Sequence, residues 1–195
     1  IPIVFQPELR RALEHLGRGK IFQRSPFNYD AEENFYRLLE ELLKAIPVLV
    51  KKRIGAIIVL EKEIGLKDIV ETGIKINGLA TAELLINIFM PRSPLHDGAV
   101  IIRDNAIAAA GCFLPLTENP NISKELGTRH RAGLGITEIS DAVAIVISEE
   151  TGVITLAHEG KLTRYLDEKT LRSSIINIYY SVSKKKIMKT DTDDD

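Results

Sequence analysis

Ile54-Gly55-Ala56-Ile57-Ile58-Val59-Leu60 is a near-continuous apolar run between two charged stretches, Lys51-Lys52-Arg53 and Glu61-Lys62-Glu63. A strand with one face in water alternates apolar and polar residues. An unbroken β-branched run leaves neither face for water, so it reads as a strand buried on both sides of a sheet. Such a sheet needs helices to cover it, and the flanking sequence supplies them. Upstream, Phe35, Leu38, Leu39, Leu42, Leu43 and Ile46 recur at helical spacing, and Pro47 either kinks that helix or ends its regular part. Downstream, Thr81 to Phe89 reads as a second core helix with Thr81 as a possible N-cap.

Working further outward, two hairpins appear. Ala99 to Arg103 and Ala106 to Phe113 flank Asp104-Asn105, a pair that tolerates left-handed backbone. Ala142 to Ile147 and Val153 to Ala157 flank a connection with Glu149, Glu150 and Gly152. Pro7 to Gly17 carries helix punctuation at both ends, Gly17 to Asp30 reads as a loop, and Asp167 to Ser183 reads as a final amphipathic helix. Helices interspersed with strands joined by short turns predict an α/β (α+β) fold: a mixed, largely antiparallel central sheet flanked by helices, in a single globular domain. The last residues, Asp191 to Asp195, read as a disordered solvating tail.

Composition narrows the function. The chain has 195 residues, 45% of them apolar, with 26 basic and 27 acidic side chains for a net charge of −1. That balance gives no field favouring nucleic acid. Cys112, the lone cysteine, reads as a buried core residue and fits a reducing compartment. No apolar run approaches the roughly 18 residues of a membrane span. G-x-x-x-x-G-K-[ST] and G-x-G-x-x-G loops and H-E-x-x-H zinc pairs are all missing.

Three polar clusters remain, each beside a predicted strand end or turn. Pro94-Leu95-His96-Asp97-Gly98-Ala99 enters a strand. Its carboxylate can hold a divalent metal or draw a proton from a hydroxyl, and its small residues permit close backbone approach. Gly127-Thr128-Arg129-His130-Arg131-Ala132-Gly133 offers two planar guanidinium forks suited to phosphate, with Thr128 as a possible helix cap. Ser148-Glu149-Glu150-Thr151-Gly152 follows a strand with two further carboxylates and a hydroxyl. Each cluster alone also fits an ordinary turn or a solvated face. Together they supply what metal-dependent nucleotide chemistry requires, namely positioning and charge neutralisation.

Asp97-Gly98-Ala99 and Arg129-His130-Arg131, at this separation, resemble the DGA and RHR motifs of diadenylate cyclases. Phe5 to Leu13, Ser123 to Arg131 and Ser148 to Gly152 resemble the membrane-anchored CdaA branch, and the similarity runs from about Ile1 to Leu166. The resemblance implies a catalytic domain over 1–166; residues 167–195, read as a C-terminal helix and charged tail, depart most from the family pattern. It implies that two ATP molecules condense into cyclic di-AMP and two pyrophosphates at a head-to-head homodimer, with Mn²⁺, Mg²⁺ or Co²⁺ as cofactor. By position, Asp97, Arg129, His130 and Arg131 would be catalytic. Gly98, Ala99, Phe113, Leu114, Thr128, Ser148 and Glu149 would bind ATP, and Asp97, Glu149, Glu150 and His96 would meet the metal. Phe113 stands where the family often has tyrosine, so stacking survives while any hydroxyl contact is lost. The resemblance also implies a membrane regulator and phosphoglucosamine mutase as partners. It puts the natural protein at the cytoplasmic face of the membrane through N-terminal helices, the chain itself being soluble. A non-catalytic ATP or cyclic-dinucleotide sensor, and a phosphohydrolase, are the rival readings.

Overall fold

The structure is a computed structural model. It describes residues 29–190 apart from 121, 124 and 125, and side chains between 31 and 181. The chain divides into two compact units, Ile1–Glu32 and Glu33–Asp195, and the architecture below is that of the second. The helix expected over Pro7 to Gly17 lies outside the described residues, as does the acidic tail. Of the loop expected over Gly17 to Asp30, the last two residues are described, and both are already helical.

The elements run α1 (Tyr29–Lys51), β1 (Ala56–Leu60), α2 (Lys67–Val70), β2 (Ile74–Leu79), α3 (Ala82–Phe89), β3 (Ala99–Arg103), β4 (Ala106–Cys112), α4 (Thr128–Ile139), β5 (Val143–Ile147), β6 (Ile154–His158), β7 (Lys161–Leu166) and α5 (Glu168–Thr190). The strands form one seven-stranded sheet in the order β2-β4-β3-β1-β5-β6-β7. Only β1 and β3 pair in parallel; the other neighbours are antiparallel. The expected mixed, largely antiparallel sheet is therefore borne out, with β1 at its centre.

Alternation along β1 divides the core in two. Ala56 and Ile58 face one side, with Leu39, Leu42, Ile46 and Leu49 of α1, Leu85 and Phe89 of α3, and Leu171 and Ile175 of α5. Ile57 and Val59 face the other, with Val70 of α2 and Ile136 of α4. Each such fully buried aliphatic side chain contributes about 1.5–3 kcal/mol, so the sheet is sandwiched between two helical layers. Pro47 does not end α1, which continues to Lys51. On α3, Thr81 is the N-cap, its hydroxyl accepting from the Leu84 N–H at 3.3 Å. Asp104 and Asn105 both have positive φ (46° and 68°), the left-handed pair a two-residue hairpin turn demands. Among the described residues, no helix is long and apolar enough to cross a membrane.

Candidate active site

The parallel pairing of β1 with β3 brings the first cluster to the sheet centre. Ile58 is level with Val100. Following that register back to the strand starts sets Ala56 beside Gly98 and Gly55 beside Asp97. On the other flank, Ala56 is level with Ile147 of antiparallel β5, so the next residue, Ser148, falls beside Gly55. Neighbouring strands lie about 4.8 Å apart, so Asp97, Gly55 and Ser148 line one end of the sheet within roughly 10 Å.

Helix α4 brings the second cluster to the same end. It lies close on the sheet because it has no side chain at Gly133, where a β-carbon would come within 2.8 Å of Val146. Its first turn carries Arg129, whose Nη1 donates to Oε2 of Glu149 at 2.9 Å. That ion pair sits directly over Gly55, where a β-carbon would lie 2.6 Å from the Arg129 Nη1 and 2.9 Å from the Glu149 Oε2. All three clusters thus converge at the heads of β1 and β3 and the tail of β5.

One expectation is corrected in detail. Thr128 is not the N-cap of α4: Gly127 holds that position in an extended conformation, and its carbonyl accepts from the N–H groups of His130 and Arg131 at 3.1 and 3.3 Å. Thr128 is instead the first helical residue, with an exposed side chain. His130 does not share the exposure of its neighbours. Its side chain is buried, and its Nε2 lies 3.2 Å from the Thr155 hydroxyl on β6. Burial, followed by the nearby Arg164 charge, holds its pKa below the usual histidine value. Its ring is therefore packed between helix and sheet and turned toward β6.

Gly98 and Ala99 are packed tightly against the neighbouring elements. A β-carbon at Gly98 would lie 2.7 Å from the Gly111 carbonyl carbon, and its φ of 113° suits glycine alone. The close approach at this residue is to strand β4, not to open space. Ala99 is fully buried in the core against α2 and α4.

The remaining residues lie where a ligand can reach them. Asp97 is exposed and Arg131 half-buried. Phe113 is 69% exposed, with its N–H donating to the Thr72 hydroxyl at 2.9 Å. Leu114 packs against the core from the same segment. That segment continues along α4, where the Thr117 N–H donates to the Arg131 carbonyl at 3.1 Å. The Ser148 hydroxyl accepts from the Thr151 N–H at 3.2 Å and keeps its own proton to donate. Cys112 is buried as expected, its thiol pushed up to about 11 by burial.

The metal set does not assemble as a cage within one chain. Among the described residues, no three His, Cys, Asp or Glu side chains gather as a metal site. His96 turns its Nδ1 to the Ser93 carbonyl, Glu149 engages Arg129, and Glu150 offers its carbonyl to Arg53 at 3.3 Å. An exposed carboxylate such as Asp97 still fits a hard divalent cation, which is commonly held by one or two carboxylates together with phosphate oxygens and water.

Two residues of this region were not expected at the site, Gly55 and Arg53, the latter read only as part of the Lys51-Lys52-Arg53 charged stretch. Gly55 stood only as part of the apolar run, although a glycine at the mouth of a buried strand was the available signal. Arg53, at positive φ, braces the Ser148–Gly152 turn from below.

The family described as DisA bacterial checkpoint controller nucleotide-binding matches residues 43–162. Cyclic di-AMP synthase CdaA of Bacillus subtilis is 53% identical over 175 residues, covering 90% of this chain and 63% of that protein. A diadenylate cyclase of Listeria monocytogenes is 50% identical over 95% of this chain and 67% of its own length. The chain thus spans somewhat under two thirds of the Bacillus relative. Among solved structures, a double mutant of DacA from Staphylococcus aureus superposes with a TM-score of 0.73 at 46% identity, covering 76% of this chain and 99% of that one. A hypothetical membrane spanning protein from Bacillus cereus gives 0.64 at 43% identity, over 66% of this chain and 63% of that one. Asp97, Arg129 and Glu149 all fall within the matched span, and the chain belongs to the DisA-type nucleotide-binding family.

Proposed function

We propose that this chain is the catalytic domain of a diadenylate cyclase, which joins two ATP molecules into cyclic di-AMP and releases two pyrophosphates. The observation that carries the reading is the convergence of Asp97, the Arg129–Glu149 pair and Ser148 on one end of three adjacent strands. Two relatives at 50% identity or more carry that activity in their names.

In this reading Arg129 and Arg131 bind the triphosphate, and Glu149 holds the Arg129 fork in place before substrate arrives, so little reorganisation accompanies reaction. The Thr128 hydroxyl and the N–H groups of Thr128 and Arg129 add donors at the helix start. The Ser148 hydroxyl donates to a phosphate oxygen. Phe113 stacks on adenine, and the Leu114 backbone meets its edge. Asp97 takes the proton of the ribose 3′-hydroxyl. The new bond joins that oxygen to the α-phosphorus of the other ATP, the bond from that phosphorus to the β-phosphate oxygen breaks, and pyrophosphate leaves. The mirrored step closes the ring. Because each chain holds one ATP, two copies face each other about a two-fold axis. A divalent metal (Mn²⁺, Mg²⁺ or Co²⁺), held by Asp97 with phosphate oxygens, would supply charge neutralisation and lower the pKa of the attacking hydroxyl. His130 supports α4 from within. The same reading puts the full-length protein at the cytoplasmic face of the membrane, in keeping with the name of the Bacillus cereus structure.

The test is incubation with ATP and Mn²⁺ followed by chromatography. Cyclic di-AMP is the expected product. ADP or AMP would instead mark a phosphohydrolase, and bound but unaltered ATP a sensor.

A further inference from the structure

Gly55 is buried at the mouth of β1, yet nothing in its own backbone demands glycine. Among the described residues the glycines with positive φ are 98, 111, 152 and 160, and Gly55 is not one of them. An alanine would adopt its conformation without strain. What excludes a side chain is the space above it. The three atoms nearest a β-carbon there are Nη1 and Cζ of Arg129 and Oε2 of Glu149, at 2.6, 2.8 and 2.9 Å. At Gly135, by contrast, the excluded contact is main chain: a β-carbon would lie 2.2 Å from the Pro115 carbonyl oxygen. Gly135 is required by packing. Gly55 stands against the movable ends of two polar side chains from two other elements, α4 and the β5–β6 turn.

We infer that Gly55 is a positioning residue of this site: its missing side chain forms the seat into which the Arg129–Glu149 pair settles, level with Asp97 on one side and Ser148 on the other. The inference rests on the cyclase reading for its kinetic consequence, but not for its geometry. A methyl group at residue 55 meets these side-chain ends first and lifts the guanidinium and carboxylate off the strand mouth. A displacement of about 1 Å in a group that binds the reacting phosphates costs on the order of 10²-fold in rate.

The experiment is a double-mutant cycle of Gly55→Ala with Arg129→Ala, with thermal unfolding, KM for ATP and kcat for cyclic di-AMP measured for each form. The expected result is that Gly55→Ala unfolds no earlier than wild type. Its kcat should fall roughly 10²-fold with a smaller change in KM. The double variant should be no slower than Arg129→Ala alone, because the displaced group is already gone. Failure of Gly55→Ala to fold, a wild-type rate, or fully additive losses would each overturn the inference. If the wild-type chain makes no cyclic di-AMP, the cyclase reading falls, and a crystal structure of Gly55→Ala decides the inference by itself. Arg129 and Glu149 displaced from the strand mouth sustain it; both unmoved from their wild-type positions overturn it.

Discussion

The His130 imidazole meets the Thr155 hydroxyl at 3.2 Å inside the molecule, one residue along from an arginine that reaches outward to Glu149. The Arg129-His130-Arg131 triplet therefore has two jobs. Arg129 pairs with Glu149 over Gly55, while His130 fastens the first turn of α4 to β6.

That division predicts a pH dependence of stability. The folded-state pKa of His130 lies below its unfolded value of about 6.5, because burial disfavours the imidazolium. As pH falls, the unfolded chain takes up the proton first. The contribution of His130 is therefore complete above about pH 6.5 and is lost progressively below it. Urea unfolding across that window should show wild type weakening toward acid and His130→Gln losing much of that slope. Equal slopes would remove the buried neutral histidine from the account.

Asp97 is exposed at the strand mouth, so replacing it should hardly touch the fold. Asp97→Asn should unfold within about 0.5 kcal/mol of wild type, the usual range for surface sites, and still bind ATP. Cyclic di-AMP production should be lost. Turnover at the wild-type rate would take the proton-accepting role away from this residue.

For the Arg129–Glu149 pair, stability and activity should separate. Glu149 is 58% exposed, and such pairs are worth about 0–1 kcal/mol after screening by water. Arg129→Ala should therefore melt near wild type while losing roughly 10²–10³ in rate, the scale for one transition-state donor. Arg131→Ala should lose rate on the same scale. Unchanged kinetics in both would return the triplet to a surface turn.

The opposite separation is expected at Glu61. Its side chain is 7% exposed and takes both the Nε and Nη2 of Arg103 and the Leu66 N–H, the last at 3.0 Å. Glu61→Ala takes the acceptor from the Leu66 N–H and the partner from Arg103, which can turn to water, and should cost about 1–3 kcal/mol in chemical denaturation. Below its melting temperature it should keep its rate. A rate loss without a stability loss would reverse this assignment.

The central elements were legible because their residues carry strong periodic signals. The unbroken Ile54–Leu60 run, the α1 stripe and the Asp104-Asn105 turn each needed no tertiary information. Three elements escaped for physical reasons. Helix α2 spans four residues, too few for a period to register. Strands β2 and β7 are the sheet edges, and Ile74 and Leu79 of β2 remain more than half exposed. The site was legible as residue types and not as contacts. Nothing local in Arg129-His130-Arg131 tells which member turns inward; that depends on Thr155, supplied by a strand about 25 residues on. The role of Gly98 likewise depends on how closely β4 passes.

The most direct measurement is a crystal structure of the chain with a non-cleavable ATP analogue and Mn²⁺. The account predicts the triphosphate at the heads of β1 and β3, in contact with Arg129 and level with Asp97, and the adenine beside Phe113. A nucleotide bound at the opposite end of the sheet, with Arg129 still engaged only to Glu149, would contradict it.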